Sequence, residues 1–262
     1  MNRFLSFLAA IGRAAISACT ETGKLAVFAG AGLSHIVRPP FYARLFLSAL
    51  LDIGYFSLPV VALTAVFTGM VLALQSYTGF SRFAAQGAVA NLVVLSMTRE
   101  LGPVLAGLMV AGRVGAAMAA ELGTMRVTDQ IDALTTLSTN PMKYLVAPRL
   151  LAGTLALPLL VLIADILGVM GGFIVSTLKL GFNQSAYLTN TINFVQTEDV
   201  LSGLAKAGVF GFIIALMGCY QGYHSKGGAQ GVGAAATAAV VSASILILAS
   251  DYILTEMFFT RT

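Results

Sequence analysis

The chain has 262 residues and a net charge of +4, with 58% hydrophobic and only 10% charged residues. A soluble domain carries about a quarter charged residues, so this composition excludes an ordinary soluble enzyme. The small positive charge calls for no nucleic-acid partner, because the inner leaflet of a membrane is itself anionic.

The first forty residues read as a region of their own. "MNRFLSFLAAIGRAAISAC" imitates a lipoprotein signal ending at Cys19, but Arg13 interrupts the apolar run after Ile11. At helical spacing, Phe4, Phe7, Leu8, Ile11, Ala15 and Ala18 fall on one face, with Arg3, Ser6, Arg13, Ser17 and Lys24 opposite. That pattern predicts an amphipathic helix lying on the inner leaflet. Arg38-Pro39-Pro40 ends it, and residues 41–262 form a second, membrane-spanning domain.

About twenty apolar residues cross the hydrocarbon core, and backbone groups in lipid must be satisfied internally, so long apolar runs read as spanning helices. Five are expected. They run from Leu45 to Leu74, containing Asp52 and a kink at Pro59; from about Leu92 to Ala120, containing Arg99, Glu100 and Arg113; from Leu150 to Leu178, containing Pro158 and Asp165; from Val200 to Tyr220, containing Lys206; and from Val232 to Phe259, containing Asp251 and Glu256. An odd number places the two termini on opposite sides. With the N-terminus inside, the inner segments hold Arg3, Arg13, Lys24, Arg38, Arg44, Arg126, Lys143, Arg149 and Lys226, against Arg82, Lys179 and Arg261 outside. The positive-inside rule therefore predicts a cytoplasmic N-terminus and a periplasmic C-terminus. Cys19 and Cys219 then lie near the reducing side, as free thiols.

Between the second and third runs, "ELGTMRVTDQIDAL" (121–134) has helical spacing. Val127, Ile131 and Leu134 share one side, whereas Arg126, Asp129, Gln130 and Asp132 face elsewhere, predicting a short amphipathic helix across the inner membrane face. "SKGGAQGVGAAATA" (225–238) contains a weak dinucleotide-like match, but no strand precedes it, so a flexible loop opening the fifth span is expected. No G-x-x-x-x-G-K-[ST] loop occurs, and ATP hydrolysis is assigned to another polypeptide. His35 and His224 stand apart from any Cys or carboxylate cluster, which argues against metal or triad chemistry.

Charges inside a membrane cost several kcal/mol unless paired or wetted. A rise of ~1.5 Å per residue puts Arg99, Glu100, Lys206 and Asp251 at one level in the outer third. Two readings stay open: a wet cavity that holds a lipid head group, and ion pairs that tie three helices together. Asp52 and Arg113 share an inner level and are expected to form a buried pair. Gly102-Pro103 should break or bend the second span. Rows of small residues, Gly107, Ala111, Gly115, Ala119 and Gly123 on one span and Gly203, Ala207, Gly211 and Ala215 on another, predict close helix packing.

"TRELGPVLAGLMVAGRVGAAMAAELGTMRVTDQIDAL" (98–134) closely resembles the signature of the MlaE/YrbE permease family, membrane subunits of ABC transporters that move lipids between the two membranes of Gram-negative bacteria. The resemblance extends over nearly the whole chain, as far as "SDYILTEMFF" (250–259). It implies an all-α permease of the bacterial inner membrane, with phospholipid as substrate and the 121–134 helix coupled to a cytoplasmic ATPase through Glu121, Arg126, Asp129, Gln130 and Asp132. It implies further that Leu74, Gln75, Tyr77, Arg99, Glu100 and Leu101 line the lipid site, joined here by Lys206 and Asp251. The implied partners are that ATPase, which would hold ATP and Mg, a second copy of the chain, a periplasmic MCE-domain protein and a STAS-domain protein. The chain departs from the family pattern at Ala234–Ala236, where a basic residue is expected. Rival readings are an MCE-type permease for a sterol or solvent, a proton-coupled secondary transporter, for which no inverted repeat is found, and a membrane scaffold.

Overall fold

A computed structural model describes residues 2–83 and 86–259, and every element among them is helical. Five segments are long and apolar enough to cross a membrane: 43–80, 89–127, 142–178, 197–223 and 228–258. Each matches an expected run, with most ends carried a few residues further.

The N-terminal helix α1 spans Asn2–Val37. The side chains of Arg3, Phe4, Ser6, Phe7, Leu8, Ile11 and Ala18, on which the expected faces partly depend, lie outside the described residues. Its second half packs by an i, i+4, i+8 stripe. Phe28 is buried edge-on to Tyr220 at 5.4 Å and Tyr223 at 5.7 Å, Gly32 lies against Leu150, and Ile36 joins the core. On the exposed side Lys24 lies 2.7 Å from Glu21 and holds its carboxyl below the usual range. His35 Nε2 meets Asn140 Nδ2 at 3.1 Å, and Lys143 donates to the Pro39 carbonyl, fastening the end of α1 to the start of the third span.

The first span is α2 (Ala43–Ile53), a 3₁₀ turn (Tyr55–Ser57) and α3 (Leu58–Phe80). The interruption falls just before Pro59, which sits in the first turn of α3, where a missing N–H costs nothing. The second span is one long helix of three pieces, α4 (Val89–Ser96), α5 (Gly102–Val110) and α6 (Ala116–Val127), joined by π turns at Met97–Leu101 and Ala111–Gly115. Gly102-Pro103 thus does not break the span; the wider π turn just before it accommodates the proline.

The expected single helix over 121–134 is two. α6 runs to Val127, Asp129 takes a left-handed conformation with φ of 58°, and α7 (Gln130–Thr136) starts afresh. The third span opens with a π turn (Met142–Val146) and continues as α8 (Ala147–Leu178). A helix absent from the expectations, α9 (Gln184–Phe194), follows; Asn183 Oδ1 caps it by accepting from Ala186 N–H at 3.2 Å. α10 (Thr197–Tyr223) and α11 (Gly228–Phe259) complete the bundle. The expected flexible loop over 225–238 is helical from Gly228. Gly227 and Gly228, at positive φ, turn the chain, and an alanine-rich run with high helix propensity carries it on, burying Ala235 and Ala239.

α8 and α10 lie at the centre, and the helices cross at small residues. α3 meets α8 so closely that a Cβ added at Gly69 would collide with the Gly168 carbonyl, and one at Gly203 of α10 would collide with the Thr98 carbonyl of the upper π turn. The row on span two is used as expected, with Gly115 and Ala119 facing Gly218 and Gly222 of α10. In lipid no hydrophobic force draws helices together, so such contacts carry the packing. Cys19 and Cys219 are free thiols, the first exposed and the second buried.

Candidate functional site

The half of the bundle away from α7 contains a cluster of charges. Its base is the π turn Met97–Leu101, whose extra residue per turn spreads Arg99 and Glu100 toward different partners. Glu100 Oε2 accepts from Lys206 Nζ of α10 at 2.8 Å. The same ammonium donates to Thr255 Oγ1 of α11 at 2.7 Å and to the Arg99 carbonyl at 3.1 Å, and lies 3.0 Å from Asp251 Oδ1. The Arg99 carbonyl is available because Pro103, four residues on, has no N–H to offer it. Thr255 closes the ring by donating to Glu100 Oε1 at 3.2 Å. Lys206 is 0% exposed, and its donors are spent within the protein.

Arg99 turns the other way. Its Nε donates to Asp199 Oδ1 at 2.6 Å, and Asp199 is 1% exposed. The other oxygen of Asp199 accepts from Gln196 N–H at 3.0 Å, half of a capping box that starts α10. Glu100, Lys206 and Asp251 are thus brought together as their common depth predicts, with Arg99 held one residue aside by an aspartate that the sequence reading passed over. Its signal was an acidic residue three positions after Gln196, just ahead of an apolar run. Thr255 was missed because an uncharged residue carries no depth penalty to notice. In the protein the cluster ties spans two, four and five; its side chains open to the outside are those of Arg99 (30% exposed), Glu100 (37%) and, less so, Asp251 (19%). Replacing Asp199 with Ala should cost about 1 kcal/mol for the lost cap, and more for the stranded Arg99, in a thermal melt of the purified protein. Asp199→Asn keeps an acceptor for the cap and should lose less.

The other residues assigned to the lipid site are Leu101, which ends that π turn, and three on α3. Leu101 is half-buried against the core, Leu74 is half-buried and Gln75 exposed on α3. Tyr77 packs edge-on to Phe182 at 5.9 Å, and Phe182 in turn lies 6.2 Å from Tyr187, whose phenol burial pushes above its usual range. Asp165, midway along α8, is buried with both carboxyl oxygens unpartnered, packed against Gly102.

At the opposite end, α7 is anchored by Ile131, 1% exposed, and by half-buried Leu134. Asp129, Gln130 and Asp132 face outward, and Arg126 Nη1 lies 2.7 Å from Asp132 Oδ1. Glu121 is exposed, and its Oε1 accepts from Arg149 Nη2 of α8 at 2.7 Å. The pair expected between Asp52 and Arg113 does not form. Arg113 Nη1 donates instead to the Asp52 carbonyl at 2.9 Å and to Ser57 Oγ at 2.8 Å. The cause is the end of α2 at Ile53, which leaves main-chain carbonyls without helical donors.

Residues 46–257 match the family described as Permease MlaE. A "Probable ABC transporter permease protein" of Rickettsia bellii is 58% identical over 97% of this chain and 98% of its own length. The chloroplastic protein TRIGALACTOSYLDIACYLGLYCEROL 1 of Arabidopsis thaliana is 35% identical over 89% of this chain and 67% of its own length. The "Intermembrane phospholipid transport system permease protein MlaE" of Haemophilus influenzae is 31% identical over 97% and 98%. With the five spans, the polar helix between the second and third, and a match over most of its length, the chain belongs to the MlaE permease family.

Proposed function

We propose that the chain is the non-catalytic permease subunit of an ATP-driven ABC transporter that moves phospholipid between the bacterial inner membrane and periplasmic carriers. The observation that carries this reading is α7, a short polar-faced helix with Asp129, Gln130 and Asp132 exposed at its start, pinned by Ile131 and continuous, through one left-handed joint, with the span that bears Arg99 and Glu100. A soluble ATPase that binds ATP and Mg grips α7 from the cytoplasm, and two copies of the chain enclose the lipid path. A periplasmic MCE-domain protein and a STAS-domain protein complete the assembly. Phospholipid is supported by the printed function of the Haemophilus relative, and the N-terminus is cytoplasmic by the positive-inside count.

The test is the double substitution Asp129→Asn, which removes the charge but keeps a side chain suited to the left-handed joint, and Asp132→Lys. Both side chains are exposed, and a surface ion pair such as Arg126–Asp132 is worth about 0–1 kcal/mol, so folding should persist. Co-purified ATPase should fall at least about tenfold, the consequence of losing about 1.4 kcal/mol of docking energy. Undiminished association would overturn the reading. A proton-coupled transporter has the unpartnered Asp165 in its favour; it requires transport by vesicles with no ATPase present, and none is expected.

A further inference from the structure

A cavity of about 470 Å³ opens at the α7 end of the bundle, between α2, the lower part of the second span and the start of the third. Its polar lining comprises Ser48, Asp52, Arg113, Glu121, Tyr144 and Arg149, and the rest is aliphatic. The charges in this lining are unevenly satisfied. Arg149 is paired with Glu121. Among the described residues the acceptors of Arg113 are neutral, the Asp52 carbonyl and Ser57 Oγ, with the Phe56 ring 6.0 Å from its guanidinium carbon. Of the three cations within the apolar runs, Arg99 and Lys206 have carboxylate partners, whereas Arg113 forms no ion pair among the described residues. A guanidinium within a membrane span that lacks a counter-ion costs several kcal/mol unless wetted or neutralised from outside. The Asp52 side chain borders the same space and likewise makes no ion pair among the described residues. The cavity therefore presents one cation and one anion, both exposed and on two helices, that form no ion pair with each other or with any other described residue.

We propose that this cavity binds the head group of an amine-bearing phospholipid from the adjacent leaflet, its phosphodiester on Arg113 and its ammonium near Asp52. The inference rests on the phospholipid reading above and assigns it a second site, remote from the Arg99–Lys206 cluster. A phosphodiester fits Arg113 because a guanidinium presents a planar fork of donors, and among the described residues only Nη1 is engaged. A free phosphate shares that chemistry, but it would leave Asp52 unanswered and the aliphatic lining unused. A second cavity of about 200 Å³, almost wholly apolar, shares Pro148 with the first. The Tyr42–Tyr144 pair, edge-on at 5.1 Å, contributes one ring to each cavity, so an apolar space for the start of an acyl chain lies beside the first.

The experiment uses the full chain in detergent, delipidated and with no ATPase present. It is offered phosphatidylethanolamine, phosphatidylglycerol and diacylglycerol of matched acyl chains, and bound lipid is read by native mass spectrometry. Phosphatidylethanolamine should be retained about tenfold over phosphatidylglycerol, as one charge-assisted contact predicts, and diacylglycerol still less. Asp52→Asn should abolish the preference between the two phospholipids, and Arg113→Gln should lower both about tenfold, with Arg113→Lys recovering part. Should Arg113→Gln fail to fold, the exposed Asp52 carries the test alone. An Asp52→Asn protein that keeps the wild-type ratio overturns the proposal. So does displacement of bound lipid by excess inorganic phosphate, which would mark a site for the free anion. Because no ATPase takes part, failure here leaves the coupling assignment of α7 standing, and failure of ATPase docking leaves this measurement unchanged.

Discussion

Replacing Lys206 with methionine is expected to cost about 3–5 kcal/mol, the range for removing one partner from a buried ion pair. The ammonium is fully enclosed and draws together Glu100, Asp251, Thr255 and the Arg99 carbonyl. Without it, two carboxylates face each other inside the membrane and a main-chain carbonyl freed by Pro103 loses its donor. Thermal unfolding of the detergent-purified protein and the yield of membrane-inserted chain would both fall sharply. Adding Glu100→Gln and Asp251→Asn to Lys206→Met should restore most of the loss, since what destabilises is stranded charge rather than missing volume. A single variant that melts like the parent would show that the cluster does not hold the spans together.

The second large effect belongs to the crossing of α3 and α8. Gly69→Ala places a methyl group into the Gly168 main-chain carbonyl, and a backbone atom has no rotamer by which to withdraw. The spans must separate, at the upper end of the ~1–3 kcal/mol usual for overpacking. Gly79, near the end of the same helix, has nothing within 4 Å of an added Cβ. Gly79→Ala should therefore be neutral, or stabilise by up to ~1 kcal/mol through helix propensity. Paired melting curves of the two variants separate crowding from propensity, and equal melting temperatures would refute the close crossing.

The five spans were legible because apolar length is a one-dimensional quantity that survives without knowledge of partners. So was the meeting of Glu100, Lys206 and Asp251, since helical rise alone fixes depth. What depended on the main chain was hidden. Pro59 announced an interruption, but not that the end of α2 would leave the Asp52 carbonyl for Arg113, so an ion pair was expected where a main-chain cap formed. Gly102-Pro103 announced strain, which the π turn at Met97–Leu101 takes up without breaking the span. The periodicity of 121–134 was read as one helix because a left-handed residue leaves no mark on the apolar pattern, and Asp129 tolerates that conformation better than most side chains. The glycines ahead of Val232 read as a loop that opens the fifth span, whereas its helix already starts at Gly228, four residues earlier.

The continuity of the second span has a mechanical consequence. From Arg99 to the joint before α7 the chain is helical throughout, roughly 42 Å at ~1.5 Å per residue, and contains no loop in which a displacement could be absorbed. A load applied at one tip should travel as along a pushrod, through the wide turn at Ala111–Gly115, to the clasp between Arg99 and Asp199. That clasp is the natural place for a strain gauge: a label pair across α5 and α10 should change separation when α7 is gripped, and a constant separation would mean that the rod is not under thrust.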